Sequence, residues 1–290
     1  MIFVLLSAIC SVLVSVLLKI ARPRGIDTAQ AITWNYLAAS ALCLLLLKPP
    51  MASLQQSGAP WASLLALAII LPSLFLVLAA SVRAAGIVRT DIAQRLSLLL
   101  SLAAAFLFFG EQTVPLKIAG LALGLLAVVG ILARPSVHTT SSPDSARMWP
   151  SLLAVWIGFA FVDVLLKHIS AAGTPFAASL QVSFVLAFIG MLVWQGIRVM
   201  QGKTKLSARN LIAGLLLGLV NFGNIIFYVM AHRSMPGQPA VIFASMNIGV
   251  VVLGTLVGAF GFGEKLSWLN RAAIALAIVS IGLIAMAPRG

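Results

Sequence analysis

The chain contains ten apolar stretches, each long enough to cross a bilayer as a helix. They run at about 2–20, 29–47, 61–81, 86–109, 115–133, 149–169, 176–199, 210–231, 238–261 and 267–287. Because a bilayer-crossing helix needs about 20 mostly apolar residues, ten crossings use roughly 200 residues of the chain. The sequence therefore predicts an all-α polytopic membrane protein with ten transmembrane helices. The short connections that remain leave no room for a soluble catalytic or nucleotide-binding domain.

The charged residues agree with this prediction. Only 9% of the 290 residues are charged, and 19 Lys and Arg against six Asp and Glu give a net charge of +13. A soluble protein with such a balance would be a candidate for nucleic-acid binding. Here the basic residues lie mostly at helix ends, where they contact lipid phosphates. We therefore expect the lipid bilayer as a partner and no nucleic acid.

Cysteine and histidine patterns indicate no metal site, cofactor or enzymatic chemistry. Cys10 and Cys43 lie inside apolar runs, and the three histidines are scattered without ligand spacing. The run GIRVMQGKT at 196–204 has five residues between its glycines, where a phosphate-binding loop needs four. The amino-terminal apolar run has no basic flank before it, so we expect a retained first helix rather than a cleaved signal peptide.

The two halves of the chain resemble each other. Matching segments are separated by 148 to 153 residues: VLVSVLLKIA (12–21) with AFVDVLLKHI (160–169), Arg83 with Arg233, and FFGEQ (108–112) with GFGEK (261–265). The pattern predicts a first repeat at 1–133, a linker at 134–148 and a second repeat at 149–290. Since each repeat has five helices, the second enters the membrane from the opposite face. Such inverted repeats build many secondary transporters, with the substrate near the membrane midplane.

These repeats also carry a family resemblance. The segment 225–286, IIFYVMAHRSMPGQPAVIFASMNIGVVVLGTLVGAFGFGEKLSWLNRAAIALAIVSIGLIAM, closely resembles the second half of EamA-type drug/metabolite transporters. The segments LFLVLAASVRAAG and FFGEQTVPLKIAGLALGLLAVVGILA look like the partner repeat. The resemblance implies a ten-helix secondary transporter for small metabolites, often an exporter, without ATP or cofactor. Members commonly have a proline or apolar residue in the middle of helices four and nine, where this chain has Arg95 and Asn247.

The distribution of positive charge predicts the orientation. With ten crossings, five Lys and Arg lie on the side where the chain begins, thirteen lie on the opposite side, and Arg95 lies within the membrane. Because an excess of Lys and Arg stays cytoplasmic, both termini are predicted to be periplasmic in a bacterial inner membrane. The resemblance implies the reverse arrangement, with both termini inside.

Helix four carries the most informative candidate site. Arg95 is about two turns inside the helix, where a charge costs about 2.5–3.5 kcal/mol on insertion scales. Asp91 lies four residues earlier, on the same helix face, and Gln94 is adjacent. Either these residues line a substrate cavity, with Arg95 binding a carboxylate or phosphate, or Asp91 and Arg95 form a structural pair with Arg95 snorkelling to the surface.

Helices six and one carry the candidates for ion coupling. Trp156, a candidate for substrate binding, shares one stripe of helix six with Asp163 and Lys167, and an intramembrane acid such as Asp163 is a candidate for proton coupling. The alternative is that Lys167 neutralises Asp163. The matching stripe of helix one has Ser7, Ser11, Ser15 and Lys19. We expect its serines to permit close helix packing and Lys19 to join the coupling group.

Polar residues on other helices complete the predicted cavity. Asn221, Asn224 and Tyr228 share one face of helix eight, and they either line a cavity or hydrogen-bond to other helices. Trp34 and Asn35 in helix two and Asn247 in helix nine are weaker candidates for substrate contacts. We expect pairs of glycines four residues apart to serve helix packing, and Glu111 and Glu264 to cap helices or act as hinges.

Together these residues predict an alternating-access transporter that exports a small-molecule substrate such as an amino acid. The alternatives are translocation of a lipid-linked or amphipathic molecule between leaflets, and a membrane scaffold that transports nothing. A monomer is predicted, with a dimer as the alternative.

Overall fold

The computed structural model is all helical over the residues that it describes, which are 1–55, 58–109, 115–132, 143–235 and 239–286. Ten α-helices lie within these ranges: α1 (Ile2–Ala21), α2 (Thr28–Leu42), α3 (Trp61–Ala85), α4 (Ile87–Phe109), α5 (Pro115–Leu132), α6 (Pro143–Ala171), α7 (Phe176–Met200), α8 (Ala208–Ser234), α9 (Pro239–Leu256) and α10 (Trp268–Met286). Two π-helical turns, Cys43–Leu47 and Val257–Gly261, extend α2 and α9, and Met51–Gln55 forms a 3-10 turn.

The prediction of an all-helical polytopic membrane protein is confirmed. Six helical stretches in the described part of the chain are long and apolar enough to cross a bilayer: Ile2–Ala21, Thr28–Leu47, Trp61–Ala85, Arg147–Ala171, Phe176–Met200 and Ala208–Ser234. Every predicted apolar stretch falls on a helix. One boundary differs, because α6 begins at Pro143, inside the predicted linker 134–148. The remainder of that linker, up to residue 142, lies outside the described residues.

Helices from the two halves of the chain pack against each other. Helix α1 contacts α8 and α9, α6 contacts α3 and α4, α2 contacts α7 and α8, and α5 contacts α10. Large side chains such as Tyr36, Phe184 and Phe222 are buried where α2, α7 and α8 meet. Exposed apolar side chains such as Ile69 and Leu219 cover the outside, as expected of a surface that faces lipid.

The turn between α1 and α2 is fixed by Asp27. Its carboxylate accepts hydrogen bonds from the first backbone amides of α2 and from Thr204, and it forms an ion pair with Arg198 at 2.9 Å. Partial burial raises the pKa of Asp27, but the hydrogen bonds from Arg198 and Thr204 and the charge of Arg198 outweigh it, so the pKa lies below its usual value. The carboxylate therefore connects α2 to the end of α7 and the loop that follows it.

Candidate functional site

A cavity of ≈ 460 Å³ lies between the helices of the two halves. The described residues that line it come from α4, α6, α7, α8 and α9: Gln94, Arg95, Ser97, Leu98, Phe159, Asp163, Lys167, Phe176, Asn224, Ile225, Tyr228, Phe243, Met246 and Asn247. We call the end of the bundle where α1 begins the amino-terminal end, and the end where α1 finishes the basic end. Since Lys167 lies close to the end of α6 and Phe176 begins α7, the cavity extends from the middle of the bundle to the amino-terminal end.

Arg95 connects three helices beside this cavity. Its Nη2 donates a hydrogen bond to Ser11 Oγ on α1 at 2.6 Å, and its Nη1 donates to Asn247 Oδ1 on α9 at 3.4 Å. Asp91, four residues earlier, accepts its hydrogen bond from Ser15 Oγ at 2.7 Å instead. The guanidinium is thus held inside the bundle by neutral partners, and the structure gives neither the snorkelling arginine nor the direct Asp91–Arg95 bond of the alternative hypothesis.

A row of polar contacts runs along one face of α1. Four side chains spaced four residues apart on this face each contact a polar side chain of another helix or loop: Ser7 with Asn224 (2.7 Å), Ser11 with Arg95, Ser15 with Asp91, and Lys19 with Glu264. The expectation that these serines serve close packing was therefore incomplete, because each hydroxyl makes a hydrogen bond. We call this set the α1 ladder. It connects the cavity wall to the basic end of the bundle.

Glu264 links α1 to the start of α4 at the basic end. Its carboxylate forms an ion pair with Lys19 and accepts hydrogen bonds from the backbone amides of Ile87 (2.7 Å) and Val88 (3.2 Å) at the start of α4. An acidic side chain at a helix amino terminus also interacts favourably with the helix dipole. Gly86 precedes α4 with φ +90°, and a Cβ added there would lie 2.6 Å from Glu264 Oε2. The carboxylate therefore needs a glycine at this position.

Glu264 thus has the capping role that was expected of it. The helix that it caps is α4, and not α9 or α10, between which it lies in the sequence. Its counterpart Glu111 lies outside the described residues. Lys19, which was expected to take part in coupling, lies at the basic end and does not line the cavity.

Comparison with known proteins identifies the family. The model of the EamA-like transporter family matches residues 1–133. An uncharacterized protein of Haemophilus influenzae is 39% identical over 280 residues, which cover 94% of each chain. The chain belongs to the EamA-like transporter family. A solved structure described only as the crystal structure of a protein superimposes with a TM-score of 0.59 at 17% identity, covering 97% of this chain and 95% of that one. That similarity shows a shared fold. The protein is therefore a multi-pass membrane protein of a transporter family and not an enzyme.

Seven of the residues predicted to bind substrate or couple ions lie around the central cavity of this EamA-like protein. They are Gln94, Arg95, Asp163, Lys167, Asn224, Tyr228 and Asn247. A smaller cavity of ≈ 160 Å³ lies beside it and includes Asn221. The two cavities share four lining residues, Gln94, Phe159, Asn224 and Ile225. The structure thus brings together polar residues from four helices that are far apart in the sequence.

Three other candidates lie at helix interfaces outside the central cavity. Trp156 Nε1 donates a hydrogen bond to the carbonyl oxygen of Leu96 at 2.8 Å, which holds α6 against α4. Asn35 is fully buried between α2 and α8, and its Oδ1 accepts a hydrogen bond from Asn221 at 3.2 Å. Trp34 lies against Phe188 of α7, with ring centroids 6.3 Å apart. Since α2 packs against α7 and α8, its polar face meets those helices and not the cavity.

The cavity also contains residues that the sequence did not indicate. Phe159, Phe176 and Phe243 contribute aromatic surface from three helices. In an apolar helix, a phenylalanine that faces a cavity looks the same in sequence as one that faces lipid. No sequence signal distinguishes them, because the difference depends on which helices are neighbours.

Proposed function

We propose that this protein is a secondary transporter that exports small metabolites such as amino acids across the bacterial inner membrane by alternating access. The observation that carries this proposal is the ≈ 460 Å³ cavity, which extends to one end of the bundle while the Lys19–Glu264 ion pair closes the other. This volume is within the range of about 300–1,000 Å³ that is common for small-molecule sites. The conformation is then the state that is open to the amino-terminal end.

The charges of the cavity favour a substrate with an anionic group. Arg95 and Lys167 line it together with the single carboxylate Asp163 among the described lining residues. A guanidinium binds a carboxylate in a geometry of two parallel hydrogen bonds, and the aromatic residues Phe159 and Phe243 provide apolar surface. An amino acid matches this set, since its carboxylate would bind Arg95, its ammonium would bind Asp163, and its side chain would contact the phenylalanines.

The packing of the helices supports an inverted repeat. The repeat predicts that α1 corresponds to α6, α2 to α7, and so on to α5 and α10. When each helix is exchanged for its counterpart, the pair α1–α8 becomes α6–α3, α1–α9 becomes α6–α4, and α5–α10 becomes itself. All of these pairs are in contact. In transporters built this way, one repeat rocks against the other around a fixed site. Under the charge prediction, the amino-terminal end is periplasmic. A carboxy-terminal alkaline phosphatase fusion, which is active only in the periplasm, tests that orientation.

The proposed transport is tested by counterflow of a panel of labelled amino acids into proteoliposomes. If the substrate carboxylate binds Arg95 with a contribution of about 2 kcal/mol, the variant Arg95→Ala will lower uptake below saturation by about 30-fold. Lys203→Ala is the matched control, because it removes an exposed cation from the α7–α8 loop. Equal uptake by Arg95→Ala and Lys203→Ala would contradict the assignment of this cavity as the substrate site.

A further inference from the structure

The proposed transport leaves open which group binds the coupling ion, and the environment of Asp91 points to this residue. Asp91 is 2% exposed at the junction of α1, α4 and α9. Its Oδ1 accepts the hydrogen bond from Ser15, whereas its Oδ2 is buried without a hydrogen-bond partner in the described part of the chain. Gly254 of α9 lies directly against that oxygen, since a Cβ added there would be 2.6 Å from it. A water molecule therefore has little room on this side.

The charged groups around Asp91 have other partners. On α4, Arg95 directs its guanidinium to Ser11 and Asn247. On α1, Lys19 forms an ion pair with Glu264, the carboxylate that reaches α4 from the loop after α9. On α9, the residue that faces Asp91 is the glycine. Among the residues that the structure describes, Asp91 thus has one neutral hydrogen bond and no ion pair.

An ionised carboxylate in this position would be strongly unfavourable. Removing a charge from water costs several kcal/mol unless an ion pair and further hydrogen bonds compensate. A protonated carboxyl group avoids most of that cost, so the described conformation favours a neutral Asp91.

The α1 ladder provides the means to change this state. Glu264 contacts the first turn of α4 and Asp91 lies in the next turn, and both face the stripe of α1 that carries Ser15 and Lys19. Lys19 forms its ion pair with Glu264 and not with Asp91. An opening of the basic end that separated Lys19 from Glu264 would admit water and allow Asp91 to ionise. Ser15, the hydrogen-bond partner of Asp91, also lines the ≈ 160 Å³ cavity next to the central one.

We propose that Asp91 binds the proton that this protein exchanges for its substrate, being protonated while the basic end is closed and deprotonated when that end opens. The proposal rests on the proposed transport function. The proton binds to a carboxylate oxygen from the amino-terminal side and leaves to water on the basic side, and the substrate moves in the opposite direction. This assignment differs from the sequence-based expectation, which gave coupling to Asp163.

Two measurements test the proposal on the full-length protein in liposomes. The first is infrared spectroscopy at neutral pH. We expect the C=O stretch of a protonated carboxyl group in the wild-type protein, its loss in Asp91→Asn and its persistence in Asp163→Asn. Absence of the band, or its loss in Asp163→Asn alone, would overturn the proposal. If Asp91→Asn elutes as misfolded material in size-exclusion chromatography, Asp91→Ser replaces it, because this side chain is also small and neutral.

The second measurement is transport of the labelled amino acid panel. Asparagine is neutral and has no proton to release, so Asp91→Asn cannot couple a pH gradient to transport. Its accumulation driven by a pH gradient should fall at least tenfold below the wild-type value. Gradient-driven accumulation at the wild-type level in Asp91→Asn would overturn the proposal. If the wild-type protein exchanges none of the amino acids, the proposed substrate class is what fails, and the infrared result decides on Asp91 separately.

Discussion

The closure of the basic end gives the sharpest prediction, through the substitution Glu264→Gln. In the structure the carboxylate serves three donors, the ammonium of Lys19 and the backbone amides of Ile87 and Val88. A glutamine side chain keeps one acceptor oxygen but has no negative charge. The ion pair is therefore lost, and one of the two amides loses its partner.

The magnitude follows from the burial of these groups. Hydrogen bonds to charged groups contribute about 1.5–3 kcal/mol each. The Lys19 and Glu264 side chains are 21% and 14% exposed, so water compensates part of the loss. We take about 2 kcal/mol as the net destabilisation of the closed state, which corresponds to a change of about 30-fold in the equilibrium between closed and open forms.

Cysteine labelling of purified protein measures that equilibrium. Val88 is 1% exposed and lies against Gly258 of the second half. In a background without Cys10 and Cys43, the introduced variant Val88→Cys should react with a soluble maleimide only when the basic end opens. Glu264→Gln should therefore raise its labelling rate by about 30-fold, in line with the shift in population.

The matched control is Asp27→Asn, which removes the carboxylate of the ion pair with Arg198 at the same end of the bundle. This pair connects α2 to α7 and does not bridge α1 to the start of α4, so the labelling rate of Val88→Cys should stay unchanged. Equal rates in the Glu264→Gln and Asp27→Asn proteins would show that the Lys19–Glu264 pair does not hold the closed state.

Two further predictions concern stability. Gly254→Ala places a methyl group 2.6 Å from Asp91 Oδ2, so it should lower the free energy of unfolding by about 1–3 kcal/mol. The control Gly282→Ala adds a methyl group that meets nothing within 4 Å, so it should not lower this free energy. Equal thermal unfolding temperatures of the two variants would contradict the close contact. Since the pKa of Asp27 is lowered in the folded state, its contribution to stability is present above about pH 4, the unfolded value, and is lost as the pH falls through the folded pKa. The wild-type protein should therefore unfold at a higher temperature than Asp27→Asn at pH 7, and this difference in unfolding temperature should shrink below about pH 4. A difference that stays constant with pH would show that the ion pair with Arg198 contributes nothing to stability.

Much of the architecture was readable from the sequence because it depends on local composition. A run of about 20 apolar residues forms a helix in a bilayer whatever its neighbours are, since every backbone amide and carbonyl must be satisfied within the segment. The predicted stretches accordingly coincide with helices to within a few residues, except at the start of α6. The residues Arg95, Asn224, Tyr228 and Asn247 were also found as polar groups at depth in apolar helices, and the structure places them on one cavity.

The sequence did not predict which neighbouring helix each polar side chain would contact. Trp34, Asn35 and Trp156 had the same sequence signature as the cavity residues, yet each lies at a helix interface. Asp91 and Arg95 are four residues apart on one helix face, but the structure gives them separate partners on α1. Helical spacing limits which side chains can meet, and it does not say which neighbouring helix provides a better partner.

The sequence by itself determined the helices, the polar stripes on them and the excess of positive charge, because each follows from the residues of a single segment and their transfer between water and lipid. The tertiary structure decided which stripes face each other. Ser7 meets Asn224 across 217 residues of sequence, and Lys19 meets Glu264 across 245. Such contacts arise only when helices of the two halves pack together, and in a medium without water a buried polar side chain gains most from a partner on another helix when its own helix offers none.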